Sequence, residues 1–469
     1  MSTNTIGQPR NFIKLNPPLP FTAQNLGHGF VKALAADSFV LNFMEQPTAY
    51  SLNNLSGHTV TISVSDNRSF KFSDVKIAYT ENDGQCLGSI SPRQSDTSEK
   101  SQETETSVRS GNLLNELISH IRKDQHISIC AHEDVEASDR YTGFADINLK
   151  PSSFPEMAWN DLDTQSSFLG RTFSSPLLIT GMTGGLSRGT EINRRLALAA
   201  EKFDIPMGVG SQRIAIENPE LAKIFAVKRT APHVFLIGNL GLSQLAGGRP
   251  FSDAKDMMMR AIEMIDADAM AFHINVLQEL IQVEGDRDFR SLISLLAKLI
   301  EVCPVPVMVK EVGCGIDAKS ALLLKEAGVS AIDVGGKGGT SWSYIEGQRA
   351  VSEETKSLAT TFRDFGVPTA IALDIAHSCL PSMPLVATGG IRNGLDAAKA
   401  IGLGATMVGV GLPLLRAALE SETGPQDILA EYSRGIKTAM MCSSAQSLEK
   451  LPLMVRKSTN FKNQLEMYL

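Results

Sequence analysis

From residue 176 onward, short apolar runs alternate with longer amphipathic ones. The short runs are PLLITGMT, PMGVGS, VFLIGNLG, AMAFHINV, PVMVKEVG, AIDVGG, LVATGG and TMVGVG, each ending in glycine or polar residues. Between them lie stretches such as AKDMMMRAIEMID, FRSLISLLAKLI and AKSALLLKEAG, whose apolar residues recur at helical spacing. Near-continuous apolar strands suit a parallel sheet buried on both faces. Eight strand–helix units over about 270 residues predict the α/β class, specifically a closed (β/α)8 TIM barrel rather than an open sheet.

The pattern changes upstream. FVLNF, HTVTISVS and SFKFSDVKIAY are rich in β-branched and aromatic residues and are separated by turn signals such as SDN and NDG. Residues 1–91 are therefore expected to form a small β-rich or α+β extension. The stretch 92–111, PRQSDTSEKSQETETSVRSG, holds a single large apolar residue, Val108. It buries too little surface to offset its ordering entropy and is expected to be a flexible polar linker. Residues 112–469 form the main body.

Composition narrows the class. Lys plus Arg number 44 against 51 Asp plus Glu, a net charge of −7, which gives no support for nucleic-acid binding. The six cysteines are scattered with no CxxC pair, so neither a disulfide framework nor a zinc site is suggested. The most apolar stretch, SLISLLAKLIEVCPVPVMV, is interrupted by Lys298, Glu301 and two prolines, so no membrane span is expected. The first residues lack the apolar core of a signal peptide, and a cytoplasmic location is the default expectation.

In such barrels the active site forms at the C-terminal strand ends, and there the polar residues gather: TGMTGG (180–185), GSQR (210–213), GNLG (238–241), HINVLQE (273–279), VKE (309–311), GGKGGT (335–340), ATGGIRNG (387–394) and GVG (409–411). TGGIRNG and GVGLP, after the last two strands, suit a phosphate held by backbone N–H groups and helix N-termini. Lys310 emerges from an apolar strand and must face something anionic, either a cofactor ring or a carboxylate such as Glu311. Glu279, beside Gln278, is either a solvated loop acid or the one carboxylate of a Mg²⁺ site completed by phosphate oxygens and water. His273 lies inside or just after its strand and reads first as a packed, hydrogen-bonded group. Arg122, Lys123 and His126 form a cationic cluster in RKDQH, which Arg213 could approach; converging cations suit a diphosphate.

RKDQH, TGMTGG, GVGSQR, GNLG, HINVLQE, VPVMVKEVG, DVGGKGGTSW and ATGGIRNGLDAAKAIGLGA resemble, in order, the motifs of the type 2 isopentenyl-diphosphate delta-isomerases. The resemblance spans residues 115–460 and implies an FMN-linked (β/α)8 barrel that also uses Mg²⁺. It implies FMN contacts at Gly181, Met182, Thr183, Gly184, Ser211, Asn239, Lys310 and Thr340, with the phosphate at Gly389, Gly390, Ile391, Val410 and Gly411. It implies that the substrate, isopentenyl or dimethylallyl diphosphate, meets Arg122, Lys123, His126, Ser211, Gln212, Arg213 and Gln278, and that Glu279 binds Mg²⁺. Gln278, Lys310 and His273 are the candidate catalytic residues. Reduced FMN would act as the acid–base, NADPH would serve only as its reductant, and a homo-oligomer, tetramer or octamer, is expected. The chain departs from the family's DVSGRGGT, with Gly335 in place of serine and Lys337 in place of arginine. The lost hydroxyl predicts one flavin hydrogen bond fewer, worth about 0.5–1.5 kcal/mol. The front extension is a second departure. It resembles the opening strands of small-metabolite kinases such as mevalonate kinase, but lacks their glycine–serine-rich ATP loop, so kinase activity is not implied.

Two other functions are open to a barrel of this kind. An FMN-dependent oxidoreductase of the hydroxy-acid oxidase type needs a histidine base at a late strand end, and GGKGGTSW and ATGGIRNG lack one. A nucleophilic Cys314, as in nucleotide dehydrogenases, is disfavoured by its packed setting in VGCGI. A non-catalytic fusion scaffold is opposed by the retention of Lys310, Gln278, Glu279 and RKDQH.

Overall fold

The computed structural model describes residues 122–123, 125–182, 187–282, 285–350 and 352–469, with six strand segments between 13 and 90. The expected linker 92–111, Thr183 and Gly184 lie outside the described residues. The chain divides into two compact units. One takes in Met1–His126, Ile281–Gly285 and Glu346–Thr360; the other takes in Ile127–Leu280, Asp286–Ile345 and Thr361–Leu469.

In the first unit, β1 (Ile13–Ala23), β2 (Gly27–Ala35), β3 (Ser38–Phe43), β4 (His58–Ser63), β5 (Ser69–Thr80) and β6 (Gln85–Ile90) close into an antiparallel barrel of order β1-β2-β3-β6-β5-β4. Three of these strands coincide with the expected β segments. The sequence hides β1, because Pro17, Pro18 and Pro20 interrupt it. The register shift between Lys14 and Leu19 in its pairing with β2 accommodates Pro17 and Pro18, while Pro20 pairs in register with Phe30.

In the second unit, β7 (Ile147–Leu149) pairs with β18 (Val455–Lys457), and β8 (Ser166–Phe168) forms a hairpin with β9 (Arg171–Phe173). Eight parallel strands then close into a barrel: β10 (Leu177–Ile179), β11 (Met207–Gly208), β12 (Leu236–Gly241), β13 (Ala269–Ile274), β14 (Val307–Glu311), β15 (Ala331–Asp333), β16 (Leu385–Thr388) and β17 (Met407–Val410). All eight expected strands are present, and β17 pairs back onto β10.

The strand period of two divides the core. Leu177, Ile179, Leu236, Met270, Phe272, Val307, Val309, Ile332 and Val408 belong to the larger apolar cluster, which also takes in the surrounding helices. Leu178, Ile237, Ala271, Met308, Ala331, Val386 and Met407 belong to a separate cluster that fills the barrel, as the layered interior of this fold requires. Phe168 and Phe173 of the hairpin join this inner cluster with Phe235, whose ring meets Phe173 edge-on at 5.3 Å. They close the end from which the strands start. Among the described residues no helix is long and apolar enough to cross a membrane.

Phe173 is 1% exposed, so truncation to alanine leaves a cavity beneath the barrel. Phe173→Ala is expected to lower stability by about 3–5 kcal/mol, read as a reduced urea midpoint of the barrel transition.

Candidate active site

Two residues beyond six of these inner apolar positions, the same strand face carries a polar group. Leu178 is followed by Thr180, Ile237 by Asn239, Ala271 by His273, Met308 by Lys310, Ala331 by Asp333 and Val386 by Thr388. These residues make a polar tier at the C-terminal end of the barrel. Its hydrogen bonds are specific. Asn239 Nδ2 donates to the Val209 carbonyl at 3.0 Å, which turns its Oδ1 towards His273 Nδ1, 2.9 Å away. His273 therefore donates from Nδ1 to Asn239. Asp333 Oδ2 accepts from the Thr388 hydroxyl at 3.0 Å, and Oδ1 accepts from the Gly335 N–H at 3.2 Å.

Lys310 lies opposite His273 on one neighbouring strand and Asp333 on the other. Burial lowers its pKa, while the charges of Asp333 and Glu311 raise it. Among the described residues its ammonium has no carboxylate within salt-bridge distance. Glu311 is turned away: Oε2 accepts from the backbone N–H groups of Val312, Gly313, Cys314 and Gly315 at 2.5–3.3 Å. Of the two partners open to Lys310 from the sequence, a direct Glu311 ion pair is not formed. Burial still pushes the Glu311 carboxyl up to about 7 and that of Asp333 up to about 6. Burial and the Glu311 charge push the Cys314 thiol upward, opposing a nucleophilic role.

A cleft of about 530 Å³ opens above Lys310. Its walls include Gly181, Met182, Thr340, Gly389, Gly390 and Gly411, all expected cofactor contacts, together with Gly335, Gly336, Thr388 and Arg392. A second cleft holds Gln278 and Asn275 and shares Glu311, Val312, Gly313, Thr340 and Trp342 with the first, so the two adjoin. Glu279 is 2% exposed; Oε1 accepts from Asn275 Nδ2 and Oε2 from the Asp286 N–H, both at 2.9 Å.

The loop 336–340 is held from outside by an acidic arm. Ala137 N–H donates to Gly339 O at 2.8 Å and Ser341 N–H to Val135 O at 2.8 Å. Lys337 pairs with Asp139 at 2.7 Å, Arg392 pairs with Glu136, and Arg363 Nε donates to the Glu136 carbonyl at 2.8 Å. Neither Lys337 nor Arg392 is therefore an idle cation.

Several expected contact residues have protein partners or lie beside the cleft. Gln212 is fully buried. Its Nε2 donates to Ala261 O at 2.8 Å, its Oε1 accepts from the Asn239 N–H at 2.9 Å, and its own N–H donates to Asn239 O. It fixes Asn239. Val410 packs in the outer apolar cluster and its carbonyl accepts from the Thr180 N–H, so its side chain faces away from the cleft. Ile391 is 1% exposed, and its carbonyl accepts from the Tyr432 hydroxyl at 3.0 Å. Arg213 pairs with Glu217 at 2.8 Å, and Ser211 is half-buried. Ser211 and Asn239 do not line the Lys310 cleft itself.

In the first unit, Arg122, Gln125 and His126 share a buried polar cluster with Glu346 and Arg349. Glu346 Oε1 lies 2.9 Å from His126 Nε2, Arg349 pairs with Glu346, and Arg349 Nε donates to Gln125 Oε1 at 3.2 Å. The Glu346 carboxylate favours an imidazolium, but burial outweighs it, helped by Arg349 and Arg122. His126 is brought down to about 4 and stays neutral. Sequence reasoning missed Glu346 and Arg349, which follow GGKGGTSW at helical spacing. It also missed Asp333 and Thr388, although the strand period places both on the inward face.

Relatives fix the family. An isopentenyl-diphosphate delta-isomerase of Nostoc sp. is 44% identical over 330 residues, covering 70% of this chain and 93% of its own length. That of Archaeoglobus fulgidus is 44% identical over 331 residues, with the same coverage of 70% and 93%. The chain belongs to the isopentenyl-diphosphate delta-isomerase family. That of Pyrococcus furiosus agrees, at 43% identity over 336 residues, 71% of this chain and 84% of its own. Residues 258–457 also match the FMN-dependent dehydrogenase family, which supports FMN as the cofactor of this isomerase barrel. The flavin-binding domain of baker's yeast flavocytochrome b2 shares the fold, with TM-score 0.52 and 16% identity over 72% of this chain and 82% of its own. A flavocytochrome b2 variant with sulfite bound gives TM-score 0.54 and 17% identity over 73% and 84%.

Against the family's serine, Gly335 is more than a missing hydroxyl. Its φ is +47°, and a Cβ there would lie 2.2 Å from the Glu311 carbonyl oxygen. Restoring serine, Gly335→Ser, is therefore expected to lower thermal stability and flavin retention together; tighter flavin binding in the variant would contradict this. His126 gives a pH prediction. Its folded pKa is depressed, so its contribution is complete above its ordinary value of 6.5 and is lost as pH falls towards about 4. The stability advantage of the wild type over His126→Asn should shrink between those values in urea unfolding series.

Proposed function

We propose that this chain interconverts isopentenyl and dimethylallyl diphosphate, with FMN in the cleft above Lys310 and Mg²⁺ at Glu279. The observation that carries the reading is the buried lysine flooring a cleft walled by glycine backbone, with the Gln278 cleft beside it. The residues suit FMN. Gly389 and Gly390 take φ of +119° and +68°, and Cβ atoms there would meet the carbonyl oxygens of Gly336 and Gly338 at 2.1 and 2.5 Å. This leaves a turn of bare peptide groups for a phosphate, with the helix Gly394–Gly402 just beyond. The residues also suit Mg²⁺. The Glu279 carboxylate and the Gln278 carbonyl are hard oxygen donors of the kind this cation takes. Among the described residues no group of three or more His, Cys, Asp or Glu could hold a metal, so diphosphate oxygens and water would complete the shell.

When bound, reduced FMN supplies the acid–base chemistry that relocates the double bond without net redox change, and NADPH supplies the reducing equivalents. Mg²⁺ supplies a fixed anchor for the diphosphate. The chain's residues do the rest. Lys310 stabilises negative charge at the ring. Gln278 flanks the substrate, with its Oε1 accepting from Asn275 Nδ2 at 3.2 Å. His273 is oriented through its Nδ1 hydrogen bond to Asn239 Oδ1. Arg122, Lys123, His126 and Arg213 are assigned to the diphosphate, each to be tested singly. Residues 1–91 stand in this reading as a non-catalytic extension, 92–111 as a linker, and the enzyme as a homo-oligomer.

The test is turnover of isopentenyl diphosphate by the full chain with FMN, NADPH and Mg²⁺, followed by deuterium uptake from solvent. Turnover by oxidised enzyme without reductant, or none under full conditions, would overturn the reading. Glu279→Gln should reduce kcat/KM about 10–100-fold and raise the Mg²⁺ requirement. Lys310→Met should cost about 10²–10³ in kcat.

A further inference from the structure

Lys310 sits deep in the polar tier, and its charge must be supported by the residues that face it. From β13 the facing group is His273, from β15 it is Asp333, and on its own strand Glu311 follows. Arg392 lines the same cleft and is held by Glu136. His273 brings no negative charge in either protonation state. The carboxylate of Glu311 is engaged by four successive backbone N–H groups. Asp333 differs: it shares Lys310's inward face in direct register, it is 1% exposed, and its two oxygens are fixed by Thr388 Oγ1 and the Gly335 N–H.

We propose that Asp333 is a positioning residue that keeps the Lys310 ammonium charged and directed into the cleft, with Thr388 fixing the carboxylate. The assignment rests on the reading of Lys310 as the cation beside an anionic cofactor ring, and supplies what that reading lacks: a reason for the lysine to stay protonated in a buried setting. Burial opposes charge on both members, and each raises the charged fraction of the other. The Asp333–Thr388 bond also ties β15 to β16 at the level where the phosphate turn begins, so the lysine and the turn share one support.

The test reads the amine directly, without turnover. Full chain, before FMN is added, is labelled competitively with acetic anhydride at pH 8, and the extent at Lys310 is compared with that at exposed Lys325 by peptide mass. Only the neutral amine reacts. Asp333→Asn keeps the acceptor for Thr388 and removes the charge; the Lys310/Lys325 ratio should rise about tenfold, the equivalent of about one pKa unit. Asp333→Glu should hold the ratio near wild type. Thr388→Val should raise it about threefold, and it serves if the Asn variant does not fold. An unchanged ratio in a folded Asp333→Asn chain, or in Thr388→Val where the first does not fold, overturns the proposal. Labelling as expected in a chain that fails to isomerise the diphosphate would overturn the functional reading and leave this assignment standing.

Discussion

The alternation of side chains along eight short parallel strands governs everything else in the larger unit. A strand residue points either at the helices or into the barrel, and a shift of one residue reverses the choice. Met308 and Lys310 are therefore bound to the same side, as are Ala331 and Asp333. The apolar tier below keeps water out, and the polar tier above inherits a low-dielectric floor. A lysine in that place is costly on its own and useful only with compensating charge and a ligand of opposite sign.

Much of this was legible in the sequence. Eight apolar runs ending in glycine give strand number, order and the end where polar residues gather, and the glycines after β16 and β17 give the backbone turns that wall the cleft. The protein partners of several candidate residues were not legible, for a common reason. Gln212 sits in a motif among binding residues, yet its amide is used to fix Asn239, and only three-dimensional packing reveals that. Arg213 and Lys337 advertise charge in the sequence, but their partners Glu217 and Asp139 decide whether that charge is available. In the first barrel, a run with three prolines carries no strand signal; a bulge absorbs two of them.

The acids of the site are kept apart by different devices. Glu311 is spent on a row of backbone N–H groups, Asp333 on a hydroxyl and the Gly335 N–H, and Glu279 on an amide and a loop N–H. Each carboxylate has donors arranged before any ligand arrives, so the site is preorganised by hydrogen bonds rather than by the ligand's own charge. Glu346 follows the same rule in the other unit, where an arginine and a neutral histidine flank it.

The glycine at 335 has a broader meaning. There the chain turns its backbone left-handed against the Glu311 carbonyl and offers Asp333 a peptide N–H. A main-chain donor cannot be removed by point mutation short of proline, whereas a serine hydroxyl disappears in a single substitution. Part of the site is thus held by the main chain, and any side chain at 335 would meet the Glu311 carbonyl before it could add a contact of its own.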